Sequence, residues 1–213
     1  MKPVCLVLGA GAGIGGTVAT KFAQEGYHSS LCRRSDKEGL DRLVNNIKDK
    51  GGSANGYIMN AIEDNAIEEV ITSIESDIGP IEVLVYNLGA QTGMKLLEQT
   101  THKEFEWGWR MASFGLFRAA KVLCPLMVER KKGTFLVTSA TAAMIGNRNQ
   151  HSHSAAMGAR LMLCQSLNAE FSPQGIHVTH IVVDGAVDAP DTLGKMMGPE
   201  MYQKFRETKG MEH

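Results

Sequence analysis

Two hydrophobic spacings alternate along the chain. Val4 to Leu8, Ser29 to Cys32, Gly56 to Met59, Val83 to Tyr86, Thr134 to Thr138 and His177 to Val183 are short runs that read as strands. Most are aliphatic or β-branched and apolar on both faces, as parallel strands covered on both sides must be. Between them, Ile14 to Glu25, Lys37 to Lys50, Glu63 to Ile78, Lys103 to Glu129 and His153 to Phe171 carry helical spacing. In the third of these, Ile67, Val70, Ile71 and Ile74 form one apolar stripe. Strand and helix in strict alternation predict an α/β, doubly wound parallel sheet of the Rossmann type with right-handed crossovers. No repeat, linker or low-complexity stretch divides residues 1–213, so a single domain is expected. The segment 188–213 stands apart: rich in Met and charge, helix-like, and followed by no further strand.

Composition narrows the class. The 213 residues are 43% hydrophobic and 21% charged, with 22 Lys+Arg against 23 Asp+Glu. That is apolar mass enough for one core. The near-neutral balance lacks the footprint of a nucleic-acid binder and offers no polybasic patch to a membrane. Cys5, Cys32, Cys124 and Cys164 are far apart and form no CxxC pair, so buried reduced thiols in a cytoplasmic protein are expected. The apolar start breaks at glycines and is too short for a signal peptide or a membrane span.

Candidate chemistry begins after the first strand, where Gly9-Ala10-Gly11-Ala12-Gly13-Ile14-Gly15 opens a helix. Glycines allow a tight bend and close backbone approach to a pyrophosphate, whose charge then sits on the helix N-terminus. The second strand ends at Cys32-Arg33-Arg34-Ser35. An acidic residue there would bond the ribose 2′-OH of NAD; two guanidinium forks suit a 2′-phosphate instead. NADP(H) is therefore expected ahead of NAD(H), with Arg33 as the first phosphate ligand and Arg34 or Ser35 helping.

The spacing Gly9-xxx-Gly13-x-Gly15 resembles the short-chain dehydrogenase/reductase family and its TGxxxGxG motif, with Leu8 in place of the Thr. Further marks follow in order. Tyr86-Asn87-Leu88-Gly89 stands where the family has NNAG, and Asn60 where an Asp often meets the adenine. Gly133 to Ser139 resembles the fifth strand, while Ser166 to Glu170 and Gly175 to Val178 resemble the helix exit and sixth strand. Asp184-Gly185-Ala186-Val187 replaces PGxV, and Ala189 replaces a Thr that would hold the nicotinamide amide. The resemblance implies cofactor contacts from Gly9, Gly11, Gly13, Ile14, Gly15, Arg33, Arg34, Asn60, Asn87, Gly89 and Gly185. It also implies an oxidoreductase moving hydride to or from a small, apolar carbonyl, alcohol or enoyl substrate.

The family performs that chemistry with Asn, Ser, Tyr and Lys, the last two as YxxxK. Aligned through Ser166 and Glu170, those positions hold Ala112, Ala140, His153 and Met157 here. Met157 carries no charge, and the two alanines carry no polar side-chain atom. Three readings follow. The chain is a non-catalytic NADP(H)-binding scaffold or regulatory protein. Alternatively, it is a reductase with His153 as general acid, since imidazole titrates near neutrality. Or it is a relative of the enoyl reductases and their wider Tyr-x6-Lys pair, with His153 and Arg160 in those places. Singly, the plain alternatives are a hydrogen-bonded pocket histidine and a solvated helix charge.

Other features point elsewhere. His151 and His153 lack a partner at metal-ligand spacing, so no metal is expected, and His177 and His180 face opposite ways on a strand. Trp107 and Trp109 read as a packing pair. Met196, Met197, Met201, Tyr202 and Phe205 suit either a lid over a substrate pocket or an amphipathic helix packed on the domain. Family members usually add one more parallel strand; without it the edge beside the sixth strand is open to pairing. The helices Lys103 to Glu129 and His153 to Phe171 resemble the pair through which the family associates, so a homodimer or homotetramer is expected.

Overall fold

A computed structural model of the chain describes residues 2–89, 93–185, 187–189, 194 and 197–209. Six strands form one parallel sheet: β1 (Val4–Leu8), β2 (His28–Arg33), β3 (Ser53–Ile58), β4 (Ile81–Tyr86), β5 (Gly133–Ala140) and β6 (Ile176–Val183). Their order is β3-β2-β1-β4-β5-β6. The winding reverses between β1 and β4, where Leu8 pairs with both Cys32 and Tyr86. The connections leave β1 and β4 in opposite directions there, and a crevice opens beyond the carboxyl ends of the strands.

Side-chain alternation along the strands divides the core into two layers. Leu6, Leu8, Leu84, Tyr86, Phe135 and Val137 pack toward α3 (Ala66–Asp77), α5 (Gly115–Arg130) and α6 (His151–Phe171). Cys5, Val7, Leu31, Val83 and Val85 pack toward α1 (Ile14–Gln24) and α2 (Lys37–Asp49). The expected stripe on α3 is present, with Ile67, Ile71 and Ile74 fully buried. All four cysteines are unpaired and buried, and burial raises their thiol pKa values, Cys5 to about 12 and Cys124 and Cys164 to about 11.

Three boundaries differ most from the sequence reading, each for a local reason. The third helix starts at Ala66 rather than Glu63, because Asn65 adopts φ 62° and interrupts helical backbone. The third strand starts at Ser53, where pairing with His28 begins. The helix expected from Lys103 to Glu129 is α4 (His102–Trp109) and α5, joined by a π-helical turn over Arg110–Phe114. In that turn the Gly115 N–H bonds the Arg110 carbonyl, five residues back, so one residue is looped out of the α ladder. The continuous stretch His102–Arg130 is long and apolar enough to cross a membrane, but most of its apolar window is buried inside the protein.

Candidate functional site

The glycine turn is built by close approach. Gly9 has φ 95°, and a Cβ there would lie 2.6 Å from the Asn87 carbonyl oxygen; one on Gly15 would lie 2.2 Å from the Gly9 carbonyl oxygen. Neither position tolerates a side chain without moving backbone. Asn87 locks the two strand ends together: its Nδ2 donates to the Gly9 carbonyl at 2.9 Å, and its Oδ1 accepts from the Thr138 hydroxyl at 2.8 Å. The first turn of α1 contains no acidic residue, and no side chain caps it. Its positive end is left to whatever occupies the crevice.

Above this turn lies a cleft of about 460 Å³ lined by the turn glycines, Ile14, Arg33, Arg34, Asn87, Leu88, Gly89, Trp107, Met111, Val187 and Ala189. Among the described residues of that lining, the charged ones are Arg33 and Arg34. Arg33 is held rather than solvated: 13% of its side chain is exposed, and Nη2 lies 3.1 Å from Asp36 Oδ2. Asp36 also caps α2 by accepting from the Gly39 N–H at 3.0 Å. Arg34 is exposed at the rim. Gly13 opens toward the cleft mouth, where a Cβ would sit 3.1 Å from the Ala189 methyl.

A second cavity of about 380 Å³ adjoins the first. The two share Ile14, Asn87, Leu88, Gly89 and Val187. Its remaining wall is Thr138, Ser139, Ala140, His153, Met157, Arg160, Val183 and Gly185. Of the sequence-aligned positions, Ala140, His153 and Met157 therefore do converge while Ala112 lines neither cavity, and their chemistry is as sparse as the letters imply. Met157 is buried with its Sδ 3.6 Å from the Ser139 hydroxyl, and Ala112 is buried in the π turn. His153, half-buried on the first turn of α6, is with Arg160 one of two ionisable residues on this wall.

Arg160 overturns the expectation of a solvated helix charge. It is 2% exposed. Its Nε donates to the Ala112 carbonyl at 2.9 Å, Nη1 to Thr138 at 2.6 Å and Nη2 to Leu88 at 2.7 Å. The guanidinium carbon lies 5.2 Å from the centroid of the Tyr86 ring, a cation–π contact in a desolvated setting. The Tyr86 hydroxyl in turn donates to the Met111 carbonyl at 2.5 Å. Burial lowers the Arg160 pKa and pushes the Tyr86 phenol up. Arginine stays protonated in proteins, so a cation remains.

Other candidates fall in different places. Asn60 lies outside both linings and donates from Nδ2 to Glu63 at 3.0 Å. Gly185 lines the second cavity and not the first. Trp107, read from sequence as packing, forms cleft wall; Trp109 is exposed and stacks on Phe114 at 5.2 Å. Only the register of α4 against the crevice separates these two tryptophans, so no local signal identified Trp107. In the tail, α7 (Pro199–Lys209) meets the segment that precedes it, through Asp188 and Gly194. Tyr202 is buried and its hydroxyl donates to Asp188, while Arg206 pairs with Asp188 at 3.1 Å. Met201, Tyr202 and Phe205 line neither cavity, and Met196 lies outside the described residues.

Comparison with known proteins gives the class. The short chain dehydrogenase family model matches residues 3–194. The 3-oxoacyl-(acyl-carrier-protein) reductase FabG of Thermotoga maritima is 27% identical over 205 residues, covering 96% of this chain and 80% of the relative. A short-chain dehydrogenase from Sphingobium yanoikuyae, solved in complex with NADPH, superimposes with TM-score 0.80 at 27% identity, covering 88% of this chain and 73% of that one. A short-chain dehydrogenase/reductase fold from Burkholderia xenovorans gives TM-score 0.86 at 18% identity over 98% of this chain and 81% of that one. The chain belongs to the short-chain dehydrogenase/reductase family of oxidoreductases.

Proposed function

We propose that the protein is an NADP(H)-dependent reductase of small apolar carbonyl compounds in which His153 supplies the proton. The observation that carries this reading is the pair of adjoining cavities, one floored by the glycine turn and flanked by Arg33 and Arg34, the other walled by His153. The residues present fit a phosphorylated dinucleotide. The turn is bare backbone at an uncapped helix N-terminus, and among the described residues its lining carries two cations and no carboxylate. Both volumes lie within the usual range for ligand sites, about 300–1,000 Å³. When bound, a reduced nicotinamide would supply hydride.

The chain's own part is to bind, orient and protonate. The N–H groups opening α1 receive the pyrophosphate, while Arg33, steadied by Asp36, offers its remaining donors to a 2′-phosphate. Asn87 fixes the bend against β5. Val183, Val187 and Met157 make the second cavity apolar, which suits a non-polar substrate and limits water. His153 lines this space and is the side chain proposed to give a proton to an oxygen that gains charge. Arg160 is anchored at all three nitrogens by main-chain carbonyls rather than free to follow a substrate, which favours a carbonyl over an enoyl substrate. We also take the chain to associate as a homodimer or homotetramer through α5 and α6. Supporting this, Phe117 on α5 and Met162 on α6 are 47% and 55% exposed.

NADPH oxidation against a panel of ketones, quinones and enoyl thioesters tests the reading. Turnover is expected with ketones, and His153→Phe is expected to lower kcat by about a hundredfold or more. Turnover unchanged in His153→Phe removes the histidine from the chemistry. Tight NADPH binding with no substrate oxidising it defeats the reductase reading as a whole.

A further inference from the structure

A fully buried arginine that meets main-chain carbonyls and a ring face, with no carboxylate among its described hydrogen-bond and ion-pair partners, is costly to retain. Its three acceptors belong to three separate segments: Leu88 after β4, Ala112 in the π turn and Thr138 on β5. Each segment borders the crevice. Leu88 lines both cavities, Met111 of the π turn lines the first, and Thr138 to Ala140 line the second. The same π turn is gripped a second time, through the Met111 carbonyl, by Tyr86, whose ring lies against the guanidinium.

The π turn explains why those carbonyls are available. In an unbroken α-helix the Met111 and Ala112 carbonyls would point along the axis to N–H groups four residues on. The looped-out residue instead lets one accept from the phenol and the other from the guanidinium. Arginine's planar fork presents donors in fixed, divergent directions, which one ammonium on a flexible stem does not reproduce.

From this juxtaposition we infer that Arg160 is a positioning residue: acting through the main chain of Leu88, Ala112 and Thr138, it fixes the wall against which the reactive end of a bound dinucleotide is held. The inference rests on the cofactor reading above. It separates the two ends of the cleft, because the glycine turn, Arg33 and Arg34 make no hydrogen bond to Arg160 among the described contacts. Affinity is set by the phosphate end, and the order of the reactive ring by the Arg160 end.

The test is NADPH titration followed by the fluorescence of the reduced nicotinamide itself, a readout that needs no turnover. Wild type is expected to bind NADPH with enhanced, blue-shifted nicotinamide emission. Arg160→Lys is expected to keep the dissociation constant within about twofold and to lose most of the enhancement. Where a ketone is turned over, kcat is expected to fall at least tenfold with KM for NADPH little changed. Tyr86→Phe, which releases only the Met111 carbonyl and keeps the cation, is expected to lose a smaller part and serves if Arg160→Lys shows no cooperative melt. Full enhancement in the variants overturns the inference, and so does loss of affinity in parallel with enhancement, which marks a merely structural role. Absence of NADPH binding in the wild type brings down the cofactor reading itself, and the inference with it.

Discussion

Arg33 and Arg34 follow one another in sequence but do different work in space. Arg33 is mostly covered and steadied by Asp36, whereas Arg34 stands at the rim. A guanidinium held in advance loses less side-chain freedom when it meets a phosphate, so Arg33 is the stronger of the two proposed ligands. Replacing Arg33 by Asp and Arg34 by Ala together is expected to weaken NADPH binding at least tenfold more than NADH binding, measured by calorimetry. Equal weakening of both would defeat the 2′-phosphate assignment. The residue types were readable from the chain; which of them is buried was not. Arg160 shows the same gap most sharply. On a helix of alternating polar and apolar positions it reads as a solvated charge, and only its partners 22, 48 and 72 residues away make it interior.

At the scale of elements, α4 matters because it carries Trp107 to the cleft. Its N-terminus is a capping box: the Glu104 N–H donates to the Thr101 hydroxyl oxygen at 3.2 Å, and Glu104 accepts from the Thr101 N–H at 3.0 Å. Lys95 also bonds Glu104, and with the Thr101 contacts it holds the carboxyl pKa down at about 2. A folded pKa below the unfolded value of about 4.3 means this support is present above that value and is lost as pH falls toward 2. The Glu104 carboxyl resonance followed by NMR is expected to titrate near 2, with the α4 amide shifts moving alongside it. A midpoint at the ordinary glutamate value would show that the box does not hold in solution. The Thr101-x-x-Glu104 pattern is a start signal visible in sequence. The π turn that ends α4 has no such signal, because it exists through acceptors satisfied by Tyr86 and Arg160 from other elements.

Across the whole molecule, the order β3-β2-β1-β4-β5-β6 brings the glycine turn, the Asn87 bend and the start of α6 to one edge of the sheet. On the outer surface, Trp109, Phe114 and Phe117 form a stacked ladder with centroid spacings of 5.2 and 6.4 Å. Trp109 and Phe117 are exposed and Phe114 is half-buried, and large exposed aromatics are a liability on an isolated subunit. Light scattering after size exclusion is expected to give two or four times the chain mass of 23.1 kDa. Elution as a monomer at micromolar concentration would count against association through α5 and α6.

The alternation of strand and helix, the parallel sheet and the glycine bend were set by the chain alone. Periodicity decides which face of an element is apolar, and only glycine accepts the backbone approaches made at Gly9 and Gly15. By resemblance alone, the places of the family's Asn, Ser, Tyr and Lys read as Ala112, Ala140, His153 and Met157. Tertiary structure decided which polar groups lost their water. It buried Arg160, opened the helix at Arg110–Phe114, turned Trp107 into the cleft and drew Asn60 away to Glu63. Those outcomes depend on partners distant in sequence, and the free energy of a buried charge or an unpaired carbonyl is fixed only when its neighbours arrive.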